Sequence, residues 1–415
     1  MNNQKKILII GGKPIGSLDI LKYAKSLGLY TIVCDYLPIS ESPAKQIADE
    51  VWDYSTADVD LIVERAKEEN ISAVFTGVHE FNIKQCQKIC EKLKLPFYAT
   101  KKDIEVSSNK KIYKEIFRKF DIPVIEEYKV SNIDNVNENI MYPILIKPVD
   151  ASGARGLQIC NSRDEVISKL EDALNFSNKK EIIAERYIQD KEEITVVYII
   201  QNAKPYLASV ADRIVKYFDN AVIPLPIEYK WVSKYLNLYK SEIDEKMKLA
   251  IKEMNLQNGM LFIQAIVKDN VIMPYDIGFR LSGTQEHIIL EEMCGYNPLK
   301  LLVDYSLTKK FGDENLINKI NPDFSCFVNQ ITFLVKPSKI TRFEGLEDVE
   351  KMQGVIRIVK NKIESETIPE SAWGTLNQVA LRIYIKADTF EERELLIDKI
   401  KSAVKIYSND ELVGI

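Results

Sequence analysis

The sequence predicts a multidomain protein: an α/β part with a parallel, Rossmann-like sheet comes first, and α+β parts follow. The chain of 415 residues is too long for one ordinary core. Residues 5–100 alternate apolar strand segments with amphipathic helical segments, a pattern typical of parallel sheets covered by helices. Strand segments dominate residues 142–280, where the sequence predicts two antiparallel hairpins.

The predicted elements of the N-terminal part are short and regularly spaced. Strands are predicted over 6–10, 30–34 and 73–76, and helices over 17–27, over 60–69 and in a segment that ends near 93. Further along, a helix is predicted over 109–120, followed by the hairpins 194–200/206–210 and 260–267/271–277. A strand over 379–385 and a helix over 389–403 complete the prediction.

Composition and charge exclude several classes of protein. Hydrophobic residues make up 46% and charged residues 28%, which is the balance of a globular protein. The formal net charge of −5 argues against a general nucleic-acid binder. Four apolar residues, Ile7 to Ile10, are too few for the roughly 7–15 of a secretory signal, and no run approaches the ~18–20 of a membrane span. We therefore expect a cytoplasmic protein with no nucleic-acid or membrane partner, whose six scattered cysteines are reduced thiols.

A first glycine cluster follows the first predicted strand. Gly11-Gly12-Lys13-Pro14-Ile15-Gly16 lies between a strand and a helix, and Asp35 ends the next strand, where a dinucleotide fold places its ribose-binding acid. Lys13 occupies a position that the dinucleotide fingerprint needs as glycine, and Pro14 removes a backbone donor. A structural turn is therefore favoured over a nicotinamide or flavin site.

A second cluster predicts phosphate binding. Lys147 ends an apolar strand segment, and the small residues Ser152, Gly153, Ala154 and Gly156 surround Arg155 in the loop that follows. Small residues leave backbone N–H groups open to phosphate oxygens, while the lysine and arginine supply positive charge. A flexible surface loop, the alternative, does not explain a lysine within a strand of Ile and Leu.

Two further groups of residues leave two interpretations open. Glu185, Arg186, Tyr187 and Ile188, with Glu193 beyond them, could present backbone groups to an adenine and a carboxylate to a ribose, or could form a solvated acidic turn.

The second predicted hairpin places Gln264 opposite Asp276 to within about a residue, with Gly278 and Arg280 beyond. Asp276 is an oxygen ligand suited to Mg²⁺ and Arg280 could pair with a phosphoryl oxygen, but a partly buried Asp–Arg pair explains them equally well. The only two histidines, His79 and His287, are expected to pack and not to catalyse.

The order and spacing of these motifs resemble the ATP-grasp superfamily of carboxylate–amine and carboxylate–thiol ligases. This superfamily includes biotin carboxylase, the carbamoyl-phosphate synthetase large subunit, glycinamide ribonucleotide synthetase and bacterial L-amino acid ligases. The resemblance implies a Rossmann-like domain over 1–105, an ATP-grasp domain over 106–305 with lobes 106–188 and 189–305, and a C-terminal α+β domain over 306–415.

The resemblance also implies roles for individual residues. Lys110, after Asn109, and Lys147 correspond to the two nucleotide-phosphate lysines, and residues 152–156 to the mobile loop over the phosphates. Residues 185–188 correspond to the adenine hinge and Glu193 to the ribose carboxylate. Arg280 corresponds to the arginine that steadies an acyl phosphate, and Lys147 and Arg155 join it as expected catalytic residues.

The metal hairpin departs from the family pattern. The family normally offers a Glu on the first strand and Glu-x-Asn-x-Arg on the second, where this chain has Gln264 and Asp276-Ile-Gly278-Phe-Arg280. Mg²⁺, or Mn²⁺ in its place, would then rely on Asp276 and Gln264, the ATP phosphates and water, an arrangement that Mg²⁺ accepts.

The resemblance implies an ATP- and Mg²⁺-dependent ligase that joins a small carboxylate, such as an amino acid, to an amine, in a chain that forms a homodimer as many relatives do. The first domain, the C-terminal domain and the 206–232 stretch, with Arg213, Lys216 and Lys230, are expected to line the substrate pocket. Three alternatives stay open: a glycinamide ribonucleotide synthetase-like ligase, a nucleotide-binding relative with weak or lost catalysis, and, less favoured, an NAD-dependent oxidoreductase.

Overall fold

The computed structural model describes residues 4–13, 15–130, 140–150, 155–219, 221 and 224–415. Three main sheets organise these residues: one parallel sheet of four strands, one antiparallel sheet of four strands, and one antiparallel sheet of eight. Small sheets of two and three strands complete the described C-terminal region.

The parallel sheet lies at the N-terminus, as the strand–helix alternation predicts. Its strands run in the order β3-β2-β1-β4, and every described pairing is parallel. Its elements are β1 (Lys6–Ile10), α1 (Ser17–Ser26), β2 (Tyr30–Cys34), β3 (Glu50–Trp52), α2 (Val59–Glu68), β4 (Ala73–Thr76) and α3 (Glu80–Leu93). This arrangement confirms the Rossmann-like prediction.

The second sheet has the order β5-β8-β6-β7 and is antiparallel. Two helices precede it and one helix joins its last strands. The elements are α4 (Lys101–Ser108), α5 (Lys110–Lys119), β5 (Glu127–Tyr128), β6 (Ile144–Pro148), β7 (Gln158–Cys160), α6 (Arg163–Asn175) and β8 (Ile182–Arg186).

The third sheet contains eight strands in the order β13-β12-β9-β10-β11-β14-β19-β17. Its strands come from both sides of residue 305, so one sheet spans the predicted domain boundary at that position. The elements are β9 (Glu192–Gln201), β10 (Lys204–Lys216), β11 (Leu225–Trp231), α7 (Leu236–Tyr239), α8 (Glu245–Met254), β12 (Gly259–Lys268), β13 (Val271–Phe279), α9 (Glu286–Cys294), α10 (Pro298–Thr308), α11 (Leu316–Lys319), β14 (Phe327–Leu334), β15 (Ser338–Lys339), β16 (Arg342–Glu344), α12 (Leu346–Glu350), β17 (Val355–Lys360), β18 (Thr367–Ile368), β19 (Val379–Ala387), α13 (Phe390–Ala403), β20 (Lys405–Ser408) and β21 (Glu411–Leu412).

One hydrophobic core joins the N-terminal sheet to the eight-stranded sheet. Phe75 of β4, Tyr113 of α5 and Phe279 of β13 belong to the same buried cluster. Tyr98 contacts both sheets, with its ring centroid 6.2 Å from that of Phe75 and 5.5 Å from that of Phe279. This shared core brings the end of β4, the start of α5 and the β12–β13 hairpin to one place.

The local sequence signals account for the element boundaries. The Asn109 side chain accepts hydrogen bonds from the N–H groups of Lys111 and Ile112, so that α5 begins at Lys110. Thr389, the first residue of the predicted helix 389–403, is the cap of α13 and forms a capping box with Glu392. Helix α4, capped by Thr100, was not predicted because its eight residues show little apolar periodicity.

Both predicted hairpins are confirmed. Strand β9 pairs antiparallel with β10, and β12 pairs with β13 in a register that sets Gln264 opposite Asp276. All six cysteines have free thiols, which agrees with the expectation of reduced cysteines. Among the described residues, no helix has the length and apolar character needed to cross a membrane.

Candidate functional site

Helix α5 delivers two lysines to the second sheet. Lys110 and Lys114 are four residues apart, on one face of the helix, and both are buried. The backbone N–H of Lys110 donates to the carbonyl of Val149 at 3.2 Å, which ties the start of α5 to the end of β6. The predicted lysine Lys110 therefore lies beside the strand that carries Lys147.

Lys147 and Glu185 form a buried ion pair across neighbouring strands. The Nζ of Lys147 lies 2.6 Å from Oε2 of Glu185, and both side chains are buried. The other carboxylate oxygen of Glu185 contacts Nζ of Lys114, which also lies 3.0 Å from Glu127. One carboxylate therefore holds two ammonium groups in the interior.

Burial and the neighbouring charges set the protonation of this group. Burial lowers the pKa of Lys147 to about 8, against the opposing effect of Glu185, and the ammonium groups of Lys114 and Lys110 contribute to the lowering. Burial alone would raise the pKa of Glu185, but Lys147 and Lys114 outweigh it and hold that pKa below its usual range. Glu185 is thus a carboxylate, and Lys147 is an ammonium that loses its proton readily.

The β12–β13 hairpin brings Asp276 to the same cluster. Asp276 and Gln264 are cross-strand neighbours, and both side chains are half-buried. Burial raises the pKa of Asp276, while the cations Lys110, Arg280 and Lys147 partly counteract that shift. The structure therefore brings together four residues that the sequence analysis singled out: Lys110 of α5, Lys147 of β6, and Asp276 and Arg280 of the β12–β13 hairpin.

Arg280 lies just beyond the end of β13. Its guanidinium carbon is 4.5 Å from the ring centroid of Phe262, and its Nη1 donates to the carbonyl of Leu281 at 2.9 Å. Burial, followed by the nearby charges of Arg155 and Arg280, lowers the pKa of His79. Arg155 and Arg280 therefore both lie within electrostatic range of His79, whereas Ser152, Gly153 and Ala154 of the predicted loop lie outside the described residues.

Glu193 sits in a second polar group next to the first. Its carboxylate contacts the guanidinium of Arg213, accepts a hydrogen bond from the Tyr275 hydroxyl at 3.2 Å, and lies 3.8 Å from Nζ of Lys191. The backbone carbonyl of Tyr275 accepts from the Tyr113 hydroxyl at 2.9 Å, which links this group to α5. Arg213, which is expected in the substrate pocket, is paired with Glu193 in this structure.

The predicted hinge residues begin within β8, at Glu185, and continue past its end at Arg186. The backbone N–H of Tyr187 donates to the carbonyl of Pro143 at 3.0 Å, and that of Arg186 donates to the carbonyl of Glu126 at 3.0 Å. These two donors are therefore engaged within the protein. Tyr187 and Glu193 interact electrostatically, because the negative charge of Glu193, after burial, raises the pKa of the Tyr187 hydroxyl. Ile188, which lies between Tyr187 and Glu193 in the sequence, is half-buried.

The first glycine cluster has a structural explanation. Asp35 is buried and accepts hydrogen bonds from the N–H of Gly12 at 2.6 Å and from Ser42 Oγ at 2.9 Å, with Lys45 Nζ 3.0 Å away. A side chain at position 12 would overlap Ser42, since a Cβ there would lie 2.1 Å from its Oγ. The carboxylate is thus occupied in holding the turn, which agrees with the structural interpretation over the dinucleotide one. His287 is packed against Asp19 at 3.3 Å.

Three contributors were missed by sequence reasoning. Lys114 carries the detectable signal of i, i+4 spacing from Lys110. Tyr275 and Phe262 carry none, because their roles depend on cross-strand neighbours and on the bulge in the hairpin register after Gln264.

The comparison with known families identifies the central part of the chain. Residues 115–262 match the family described as D-ala D-ala ligase C-terminus, and this segment supplies Lys147, Glu185 and Glu193. Over this segment the chain is similar to that ligase family. The matched segment begins after Lys110 and ends before Asp276 and Arg280.

Relatives and solved structures agree with this assignment. The C-terminal section of the carbamoyl phosphate synthase large chain of Methanocaldococcus jannaschii is 24% identical over 391 residues, which is 88% of this chain and 60% of that protein. The chain thus spans less than two thirds of this relative's length. The L-amino acid ligase of Bacillus licheniformis has the same fold, with a TM-score of 0.77, 17% identity and coverage of 98% of this chain and 99% of that one.

A third comparison extends to a ligand-bound structure. The biotin carboxylase domain dimer of the 2-oxoglutarate carboxylase of Hydrogenobacter thermophilus, in complex with MgADP, ADP and bicarbonate, has a TM-score of 0.78 and 17% identity. The alignment covers 99% of this chain and 91% of that one. The ATP-grasp fold prediction, from the N-terminal parallel sheet to the large antiparallel sheet, is therefore confirmed.

Proposed function

We propose that this protein is an ATP-dependent carbon–nitrogen ligase that activates a small carboxylate as an acyl phosphate and joins it to an amine. The observation that carries the proposal is the convergence of Lys110, Lys147, Asp276 and Arg280 from α5, β6 and the β12–β13 hairpin. Three cations beside one carboxylate suit a nucleoside triphosphate and a divalent ion. Family membership of the central segment supports the same conclusion.

The ATP phosphates would lie against the two lysines. Lys110 and Lys147 would neutralise the phosphoryl oxygens, and residues 152–156, including Arg155, would cover them. Lys147 would leave Glu185 to reach a phosphate, and Glu185 would keep Lys114 as its counter-ion. The backbone of residues 185–188 would hold the adenine, and Glu193 would accept hydrogen bonds from the ribose.

The residues of the hairpin fit one divalent cation. Mg²⁺ prefers oxygen ligands and often takes only one or two carboxylates, completing its shell with water and phosphate oxygens. Among the described residues no group of three or more His, Cys, Asp or Glu side chains could hold a metal. Asp276, with the amide of Gln264, would therefore depend on phosphate and water oxygens to complete the ion's ligands. When bound, Mg²⁺ or Mn²⁺ would neutralise phosphate charge.

The reaction follows from positioning and charge. An oxygen of the substrate carboxylate attacks the γ-phosphorus of ATP, the bond to the β-phosphate oxygen breaks, and ADP leaves. The amine nitrogen then attacks the carbonyl carbon, phosphate leaves, and the amine loses a proton. Arg280 would stabilise the phosphoryl group through both steps, since its guanidinium carries a permanent charge. Closure of the 151–156 segment over the phosphates would keep water from hydrolysing the acyl phosphate.

Phosphate release tests the proposal. The protein is incubated with ATP and Mg²⁺ against a pooled panel of amino acids and small acids, with amine acceptors present. We expect release that depends on the panel and that falls to background in Arg280→Met, with Arg163→Met, an exposed arginine at the start of α6, as the matched control. Loss of release in the control as well would indicate that damage to the fold, and not the site, explains the effect.

A second candidate function is a nucleotide-binding relative that does not turn over. The neutral Gln264 and the glycine at position 278 favour it, because each removes a family metal ligand. ATP binding without phosphate release on any acid would support this candidate. Three further predictions remain for this protein: homodimerisation, a cytoplasmic location and the use of glycinamide ribonucleotide as the amine.

A further inference from the structure

The β12–β13 hairpin presents one continuous face to the candidate site. In the observed register Gln264 pairs with Asp276 and Phe262 pairs with Gly278. Side chains two residues apart on a strand share a face. Phe262 and Gln264 therefore lie on one face of β12, and Gly278 and Asp276 lie on the same face of β13. Arg280 reaches the same face, because its guanidinium lies over the Phe262 ring.

Gly278 is required by the space that Phe262 fills. A Cβ at position 278 would lie 2.3 Å from Cε1 and 2.9 Å from Cζ of the Phe262 ring, closer than real carbon contacts allow. The backbone of Gly278 lies outside the left-handed region, so space and not conformation demands glycine there. Phe262 is 5% exposed and belongs to the main hydrophobic core, which restricts any movement of its ring.

The same ring restrains Arg280. A guanidinium 4.5 Å from an aromatic centroid gains a cation–π attraction, and the hydrogen bond to Leu281 fixes a second point. Asp276 lies two residues before Gly278 on β13, on the same face, and directly across from Gln264. Phe262 is therefore in contact with both the residue that lacks a side chain and the cation next to Asp276.

We propose that Phe262 is a positioning residue, which excludes a ligand side chain at position 278 and fixes Arg280 beside Asp276, so that the site takes a single divalent cation. This inference rests on the proposed function for its ligand. The positive charge of Arg280 then neutralises phosphoryl oxygens that a second metal ion would otherwise neutralise. The inference also means that Gly278→Asn alone cannot restore the family's ligand set, because the Phe262 ring occupies the space.

A double-mutant cycle on the protein without nucleotide tests the steric coupling. We expect Gly278→Ala to lower the Tm by roughly 1–4 °C, since overpacking a core is destabilising. In a Phe262→Leu background, and again in Phe262→Ala, the same Gly278→Ala change should lower the Tm by less than half as much. Equal losses in all three backgrounds would overturn the coupling, whatever the activity of the protein.

Counting bound Mn²⁺ tests the single-cation claim. Electron paramagnetic resonance with saturating ADP should give one Mn²⁺ per chain in the wild type and a second in Gln264→Glu/Phe262→Ala/Gly278→Asn. Two ions in the wild type, or one in both proteins, would overturn this claim.

Phe262→Leu should also lower kcat roughly tenfold with an unchanged KM for ATP, because the restraint on Arg280 is lost. A parallel ADP titration tests the proposed function separately, since failure to bind ADP would refute that function. The Tm cycle would still test the steric role of Phe262, because it uses the protein without nucleotide.

Discussion

The Nζ of Lys147 lies 2.6 Å from Oε2 of Glu185, and the second oxygen of that carboxylate contacts Lys114. A buried carboxylate with two ammonium partners can release one of them without being left as an unpaired charge, which would be costly in the interior. Lys147 is therefore able to turn to a phosphate while Lys114 stays on Glu185.

Lys147→Met should lower substrate-dependent phosphate release by about 100-fold or more, because a cation aimed at the transferred phosphoryl group is lost. The fold should persist, since Glu185 retains Lys114. Stopped assays of phosphate release and thermal unfolding measure the two effects. Lys111→Met is the matched control, because that exposed lysine on α5 pairs only with Glu181 among the described contacts and should keep full activity. Full activity in Lys147→Met would contradict the assignment.

ATP affinity should fall as the pH rises through about 8. Burial lowers the pKa of Lys147 to about 8, so above that value the lysine loses the charge that attracts phosphate. Lys114→Met should shift the midpoint to higher pH, since the Lys114 ammonium contributes to lowering the pKa of Lys147. Isothermal titration with ATP between pH 7 and 9.5 measures the midpoint. Lys119→Met, at an exposed position on the same helix, should leave it unchanged; a midpoint that is the same in all three proteins would refute the role of Lys114.

Asp276→Asn should raise the Mg²⁺ concentration for half-maximal activity by roughly tenfold or more, since the anchoring carboxylate of the site is lost. Titration of phosphate release with Mg²⁺ gives this value. Asp269→Asn, at the exposed turn of the same hairpin, is the control and should behave like the wild type. An unchanged Mg²⁺ requirement in Asp276→Asn would show that the cation binds elsewhere.

Glu193→Gln should weaken discrimination between ATP and 2′,3′-dideoxy-ATP. The wild type is expected to prefer ATP by roughly tenfold, because hydrogen bonds to a charged acceptor contribute about 1.5–3 kcal/mol. Competition binding of the two nucleotides measures the preference. Glu192→Gln is the control, since the neighbouring Glu192 is exposed and pairs with Lys234. If the variant and the control retain the same preference, Glu193 does not contact the ribose.

Sequence reasoning predicted the parts of this molecule that local signals determine. Asn109 before an amphipathic run marked the start of α5, and the short turn at 268–270 fixed the register that sets Gln264 opposite Asp276. Lys147 was recognised because a lysine within an apolar strand requires a partner. These signals are all contained within short stretches of sequence.

The remaining features depend on contacts between distant segments. The Glu185 carboxylate is shared by Lys114 and Lys147 because α5 packs beside β6 and β8, which no local pattern indicates. Gly278 looked like a lost metal ligand in the sequence, whereas the structure shows that the Phe262 ring fills its space. Asp35 likewise resembled a ribose-binding acid until its hydrogen bond to Gly12 explained its burial.

The most direct test of the proposed ligase follows the oxygen atom of the substrate carboxylate. The acid that supports phosphate release is prepared with ¹⁸O in its carboxylate, and the released phosphate is analysed by mass spectrometry. Attack of that carboxylate on the γ-phosphorus of ATP predicts one ¹⁸O atom in each phosphate released. Phosphate without ¹⁸O would mean that water had attacked ATP, and would contradict an acyl phosphate held by Lys147 and Arg280.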